Sequence, residues 1–172
     1  SMNQEQSRIA FEALNVRLND DHARDEYKRE YDSYRPSFIP RILGALLIVC
    51  GTIVYGKKPS YQKFRAIEII ARVPYQSWVS VSYTLLTCFF WNEDRAITLS
   101  KRAHFAGEAQ DNETMHVVVI STLTKAEVRI GVFRHTIIPM IFGFFYFWMS
   151  YALYFVRPRL SYELNFLFEQ HA

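Results

Sequence analysis

Ile137 to Val156 is a run of 20 residues without a single charged side chain. Basic groups flank the run on both sides, with Arg134 and His135 before it and Arg157 and Arg159 after it. By length alone this run is a candidate transmembrane helix. Strand-like alternation is not sustained anywhere in the sequence, and Asn-Gly and Asp-Gly hairpin turns are absent. The sequence therefore predicts an all-α fold.

The rest of the chain divides into a polar arm and a helical region. Residues 1–35 carry eight acidic and six basic side chains, which predicts a polar, partly helical surface arm and not a targeting peptide. A boundary is expected at Pro36, and residues 36–172 form the second region. Within it, Ile42–Val54 is a 13-residue apolar run that suits a buried or interfacial helix. Further helices are predicted at Tyr61–Phe90 with a kink at Pro74, at 95–121, from Val128 after a break at Ser121–Thr124, and from Leu160 to the terminus.

Charge and cysteine content exclude several classes of protein. The net charge of +3 is small and its basic residues are scattered, so nucleic acid is not an expected partner. The two cysteines, Cys50 and Cys88, lie inside apolar runs. A disulfide scaffold and a thiolate zinc site are both excluded by this count.

Glu113 and His116 are the first candidates for metal chemistry. Residues three apart lie on one face of a helix, so both side chains can reach one metal ion. Helical bundles that hold two irons use Glu-x-x-His pairs together with single glutamates from other helices. Carboxylate and imidazole ligands suit iron. The alternative interpretation is a solvated glutamate beside an unrelated histidine.

Two further carboxylates lie in apolar surroundings. Glu68 and Glu169 have apolar neighbours along the chain, and a buried carboxylate is costly unless it is paired or binds a metal. For Glu68 the alternative is a salt bridge to Arg65 or Arg72, both within helical reach. For Glu169 the alternative is a solvated chain end.

Three separate stretches resemble the alternative oxidase family, and most closely its plastid terminal oxidase branch. The resemblance covers roughly residues 55–172, and the motifs occur in the family's order. The first ligand helix is matched by Ile-Glu-Ile-Ile-Ala-Arg-Val-Pro-Tyr at 67–75. The second is matched by His-Phe-Ala at 104–106 and Asn-Glu-Thr-Met-His at 112–116. The approach to the third is matched by Arg-Pro-Arg-Leu-Ser-Tyr at 157–162 and Glu-Gln-His-Ala at 169–172.

The resemblance implies a ferritin-like four-helix bundle that acts as a quinol oxidase. Such an enzyme takes electrons from ubiquinol or plastoquinol and reduces O2 to water at a centre of two iron ions. The implied iron ligands are Glu68, Glu113, His116 and Glu169. Glu113 would be the bridging carboxylate and Glu169 its catalytic partner, while Asn112 would support the ligands from outside.

The sequence departs from the family at one main point. The family's last motif, an Asp-Glu-x-x-His, lies further downstream, whereas the printed chain ends at Ala172. Four of the six family ligands are therefore present. The expectation is a di-iron domain over 36–172 that is truncated before its final ligand helix.

A shared metal site also bears on the membrane topology. A span of 20 residues is about 30 Å long, and we expect it to separate Glu113 from Glu169 unless the site itself lies within the membrane. The favoured arrangement is monotopic, with two interfacial helices on one leaflet of a thylakoid, inner mitochondrial or bacterial membrane. Quinol would enter from the lipid side. Arg41 and Lys63 are candidate contacts to its head group, with lipid phosphate as their alternative ligand.

Two other functions are compatible with these patterns. One is a di-iron membrane hydroxylase acting on a quinone precursor or a lipid. The other is a non-enzymatic helical membrane protein whose glutamates form ion pairs. The sequence leaves the oligomeric state open between monomer and homodimer.

Overall fold

A computed structural model describes residues 19–127 and 131–171, together with positions 5, 8, 9, 12, 13, 15, 16 and 17. Contacts between residues divide the chain into two compact units, Ser1–Arg35 and Pro36–Ala172. In the first unit, helix α1 spans Asp21–Ser33. Its N-cap, Asp20, accepts hydrogen bonds from the backbone N–H groups of His22 and Ala23. None of the residues of α1 is buried within the structure.

The second unit is a bundle of helices, and no strand occurs among the residues that the structure describes, which confirms the all-α prediction. Its helices are α2 (Phe38–Tyr55), α3 (Tyr61–Ala71), α4 (Val73–Cys88), α5 (Glu93–Glu127), α6 (Ile138–Val156) and α7 (Pro158–His171), with a π-helical turn at Phe133–Ile137 before α6.

The single kinked helix predicted over Tyr61–Phe90 is divided into α3 and α4. The division falls at Arg72, two residues before Pro74. Because proline has no backbone N–H, Pro74 cannot bond to the carbonyl of the residue four positions earlier. Proline is tolerated in the first turn of a helix, which is where Pro74 lies in α4.

The predicted helix break at Ser121–Thr124 is wrong, because α5 continues without interruption to Glu127. The hydroxyls of Thr122 and Thr124 donate to the carbonyls of Val118 and Ile120 inside the helix, at 3.0 and 2.6 Å. These bonds satisfy the hydroxyls locally, so they do not break the helix. The helix start predicted near Val128 lies outside the described residues.

The core consists of two clusters that meet along α6. The first joins Trp78 and Val81 of α4 to Ala106 of α5 and Tyr154 of α6. The second contains Ile70 of α3, Tyr146 of α6 and Leu164 of α7, with Leu43 and Leu47 of α2 packed against it. Helices α3 and α4 therefore lie between α5 on one side and α6 on the other.

Helix α7 folds back along α6. The hydroxyls of Ser150 and Ser161 are 2.7 Å apart, and the rings of Tyr146 and Phe168 have their centroids 5.5 Å apart. As α7 proceeds towards its C-terminus, its side chains therefore meet progressively earlier residues of α6. This antiparallel packing places Glu169, which follows Phe168, alongside α6.

Helices α2 and α6 expose apolar side chains. Among the described residues, only α2 and the segment Phe133–Val156 are long and apolar enough to cross a membrane, and just 11% and 22% of their most apolar windows are buried. Core helices of soluble proteins are mostly buried, so these two helices differ from them. The exposed side chains include Ile42, Leu46, Val49 and Ile53 on α2, and Met140, Ile141, Phe144, Phe145 and Trp148 on α6.

Candidate metal centre

Two helices bring three potential ligands together. Glu68 comes from α3, while Glu113 and His116 come from α5, where their spacing of three places them on one face. One ligand atom from each residue lies within 4.8 Å of the others. His116 Nδ1 is 3.4 Å from Glu113 Oε2 and 3.7 Å from Glu68 Oε2.

The surroundings of Glu68 disfavour its charged form. Burial, followed by a hydrogen bond to Glu113 and the charge of that carboxylate, raises the pKa of the Glu68 carboxyl from 4.5 to about 7. The charge of Glu169 acts in the same direction, whereas His116 lowers the pKa. The side chain is 12% exposed, and its buried Oε2 has no hydrogen-bond partner among the residues that the structure describes.

The salt bridge considered for Glu68 is not formed in the described part of the chain. Arg65 instead donates to the hydroxyl of Ser121 at 2.9 Å and to the carbonyl of His135 at 2.8 Å. No ion pair joins Glu68 to Arg72 among the described residues. The basic group near the carboxylate is the imidazole of His116, whose side chain is 51% exposed.

Glu169 lies near this group but outside the 4.8 Å set. Its Oε1 accepts hydrogen bonds from Tyr75 Oη at 2.8 Å and from Asn165 Nδ2 at 2.7 Å. Its charge still acts on Glu68, since it raises the pKa of that carboxyl. Glu169 is exposed, as the alternative of a solvated chain end expects, but its side chain is held by these two hydrogen bonds.

Tyr75, Asn165 and Tyr146 were not among the candidates from sequence. Tyr75 follows Glu68 by seven residues, about two helical turns, and Asn165 precedes Glu169 by four, about one turn. These spacings do not reveal the target that the two residues share, because Tyr75 bonds Glu169 and not Glu68, from a helix that begins after α3 has ended. Tyr146 is fully buried, and its hydroxyl has no hydrogen-bond partner.

The remaining candidates lie away from the three ligands or on their exposed side. Asn112 is exposed on α5 beside Glu113. Lys63 donates to the carbonyl of Gly56 at 2.9 Å and lines a cleft of about 520 Å³ that Ile67, Ile48 and others also line. Arg41 lies in a different groove, between α2 and Leu167 of α7. The structure therefore does not bring Arg41 and Lys63 to one cleft.

The donor set fits a divalent transition-metal ion. Two carboxylates and one imidazole are ligands that iron, manganese and zinc accept. A cation would compensate the adjacent carboxylates and give the buried Oε2 of Glu68 a partner. The arrangement is therefore chemically suited to metal binding by Glu68, Glu113 and His116.

The chain is similar to a plant enzyme, Ubiquinol oxidase 4, chloroplastic/chromoplastic, of Arabidopsis thaliana. The two are 31% identical over 113 residues, which make up 66% of this chain and 29% of the plant protein. The chain thus spans less than a third of that relative's length. No family model matches the chain, and no solved structure matches it. The similarity is distant, and it supports at most a relation to the alternative oxidase family.

Proposed function

We propose that the chain forms part of a membrane-bound di-iron quinol oxidase of the alternative oxidase type, which reduces O2 to water. The observation that carries this proposal is the convergence of Glu68, Glu113 and His116 within 4.8 Å around an unpartnered carboxylate oxygen. The similarity to a plant ubiquinol oxidase supports the same chemistry.

Glu68, Glu113 and His116 would hold iron, and Glu113 would take the role of the shared carboxylate that the family resemblance implies. Glu169 would be the fourth ligand from this chain. The other two ligands implied by the family resemblance belong to an Asp-Glu-x-x-His that the printed sequence does not contain. The chemistry that iron supplies in such enzymes is the transfer of electrons from the quinol to oxygen.

The protein's own residues would supply position and a largely dry environment. Ile70 of α3 and Tyr146 of α6 are buried in one core cluster, and the side chain of Glu68 is itself only 12% exposed. Tyr75 and Asn165 bond to Glu169 from two different helices. Low exposure to water strengthens the attraction between the carboxylates and a cation.

The quinol would approach through the cleft that Lys63 and Ile67 line. Ile67 precedes Glu68 in α3, so this cleft adjoins the ligand helix. The cleft combines apolar side chains such as Ile48 and Phe64 with polar ones, among them Thr52 and His171, and a quinol head group requires both kinds of contact. Arg41, in its separate groove, is better suited to a lipid phosphate.

The membrane arrangement we propose is monotopic, with α2 and α6 lying on one leaflet. Since α7 folds back along α6, Glu169 does not lie beyond the end of α6, and helix length alone does not exclude a span. Charge does argue against a span. Helix α5 belongs to the same bundle and exposes Lys101, Arg102 and Glu108, which would be costly in hydrocarbon. The membrane would be a thylakoid, inner mitochondrial or bacterial one.

The test combines metal analysis with oxygen uptake by the full-length protein in vesicles. We expect bound iron and quinol-dependent oxygen uptake that cyanide does not inhibit, and we expect both to be lost in Glu113→Gln. Glu108→Gln is the matched control, because Glu108 lies on the same helix and pairs with His104 at the surface.

The competing functions give different results in the same assay. If the product is a hydroxylated quinone precursor or a hydroxylated lipid, the protein is a hydroxylase and not an oxidase. A protein without iron whose Glu113→Gln variant is unchanged would favour the non-enzymatic alternative and contradict the proposal.

A further inference from the structure

We propose that Tyr75 and Asn165 are positioning residues that hold Glu169 by one carboxylate oxygen and leave its other oxygen free for a cation. The inference rests on the proposed function, because it takes Glu169 to be a metal ligand. It goes beyond that function by assigning roles to two residues outside the ligand set.

The three side chains form a closed polar triangle. Tyr75 Oη and Asn165 Nδ2 both donate to Oε1 of Glu169, at 2.8 and 2.7 Å. Asn165 Nδ2 is also 3.4 Å from Tyr75 Oη. Both donors therefore act on the same oxygen, and Oε2 of Glu169 takes no part in the triangle.

The donors come from different helices, which makes the restraint rigid. Tyr75 belongs to α4, and Asn165 lies one turn before Glu169 on α7. A glutamate in the last turn of a helix otherwise has many accessible rotamers. Two hydrogen bonds from packed side chains select one of them, which is how outer partners commonly orient a ligating carboxylate.

Asn165 also shows that the site favours a polar residue at a cost. It is 6% exposed, and its Oδ1 has no hydrogen-bond partner. An apolar side chain of the same size would avoid that penalty, because burying an unpaired polar atom is unfavourable. The hydrogen bond that the amide donates to Glu169 offsets this cost of burial.

Metal affinity tests the proposal without relying on activity. Binding of Co(II) to the protein is measured by competition with a chromophoric chelator, for wild type, Tyr75→Phe and Asn165→Leu. We expect each substitution to weaken binding about 10- to 100-fold, the usual effect of removing an outer partner. Tyr162→Phe is the matched control, because it removes a hydroxyl that bonds Tyr154 at 3.2 Å.

Glu169→Gln separates positioning from general destabilisation. If Tyr75 acts through Glu169, Tyr75→Phe has little further effect on affinity once Glu169→Gln is present, so the two changes are not additive. A purely structural role would leave the two effects additive. Additive effects therefore overturn the inference.

The outcomes also distinguish this inference from the proposed function. If wild type and Glu68→Gln bind Co(II) equally weakly, the three residues do not form a metal site, and the proposed function is contradicted. If Glu68→Gln weakens binding while Tyr75→Phe and Asn165→Leu match Tyr162→Phe, the metal site stands and the positioning role is refuted. The same refutation follows if Glu169→Gln binds as tightly as wild type.

Discussion

At the scale of single residues, the Glu68 carboxyl is the group whose charge state we expect to affect the stability of the metal-free protein most. Its side chain is only 12% exposed, and the charges of two other acidic side chains, Glu113 and Glu169, act on it. Without a cation, ionisation of Glu68 places a negative charge near two other carboxylates, which repel it. His116 provides some compensation, but its imidazole is half exposed.

We therefore expect the metal-free protein to lose stability as the pH rises from about 4.5 to 7. The pKa of Glu68 is about 7 in the folded protein, against an ordinary value of 4.5. In this range the folded state binds more protons than the unfolded state, so the free energy of unfolding falls as the pH rises. Urea unfolding in the presence of a chelator, at pH 5, 6 and 7, measures the slope.

Glu68→Gln identifies the residue responsible for that slope. The difference in unfolding free energy between wild type and this variant should narrow towards acidic pH. The pKa of His135 is lowered mainly by burial, so this residue makes the free energy of unfolding rise with pH. Its contribution is the same in both proteins and cancels in the difference. A difference that does not change with pH would contradict the assignment.

Local patterns predict Glu68, Glu113 and His116 as candidates because each has its signal within one helix. An apolar surrounding marks Glu68, and a spacing of three joins the other two. Tyr75 and Asn165 have no such signal for their shared target, since the oxygen they bond becomes common only when α4 and α7 pack together. The separation of Arg41 from Lys63 is likewise a property of the folded bundle.

At the scale of helices, Gly44 sets the distance between α2 and α7. A methyl group added there would lie 3.1 Å from Leu167 Cδ1 and 3.3 Å from Leu167 Cβ. At Gly51, on the same helix, a methyl group would have no neighbour within 4 Å. One helix thus contains a tight glycine and an open glycine.

We expect Gly51→Ala to raise the free energy of unfolding by roughly 0.5–1 kcal/mol, because alanine is the better helix former. Gly44→Ala should lack this gain, and Gly44→Val should lower the free energy of unfolding by about 1–3 kcal/mol through overpacking against Leu167. Chemical denaturation of the three variants gives the ranking. Equal gains for the two alanine variants would show that α2 can move away from α7 freely.

Ser161 joins three helices through buried hydrogen bonds. Its hydroxyl accepts from Trp78 Nε1 of α4 at 2.7 Å and lies 2.7 Å from the Ser150 hydroxyl of α6. Ser161→Ala leaves both partners buried, so we expect a loss of about 1–3 kcal/mol in the free energy of unfolding. Ser80→Ala removes only an exposed hydrogen bond within α4, so it should change the free energy of unfolding by less than about 0.5 kcal/mol. Similar losses for the two variants would contradict this account.

Helix boundaries were harder to predict than helix existence. The sequence predicts a helix break at the threonines of α5, yet their hydroxyls donate hydrogen bonds within the helix. Pro74 was expected to kink one helix, whereas the chain ends one helix at Arg72 and starts another. In both cases, the boundary depends on where a few local backbone hydrogen bonds form or are missing, which a helix-length pattern does not specify.

At the scale of the whole molecule, the exposed apolar sides of α2 and α6 predict where the protein meets lipid. Phe145 of α6 is 67% exposed, and Phe105 of α5 is 63% exposed. We expect Phe145→Glu to lower the fraction of protein that floats with lipid vesicles, by at least tenfold in partition coefficient, since burying such a side chain contributes about 1.5–3 kcal/mol. Phe105→Glu is the control, with an equal change in charge and a similar exposure.

Vesicle flotation also distinguishes the two helices from a general apolar surface. If Phe105→Glu reduces binding as much as Phe145→Glu, the contact with lipid is not confined to α2 and α6. If Phe145→Glu binds vesicles as well as the wild type does, α6 does not contact the lipid. The all-α class and the apolar runs were predictable from composition and length, but the exposure of these sides depends on how α7 packs between its neighbours.

With a pKa of about 7, the Glu68 carboxyl carries a proton below neutral pH as long as no metal is bound. Below that pH, an incoming divalent ion must displace the proton of Glu68 before the carboxylate can bind it. If the centre binds metal as proposed, we expect loading to acidify a weakly buffered solution, and the calorimetric heat of loading to vary with the ionisation enthalpy of the buffer. Mild acid would in turn help to empty the centre, so that proton concentration acts as a competitor of the cation.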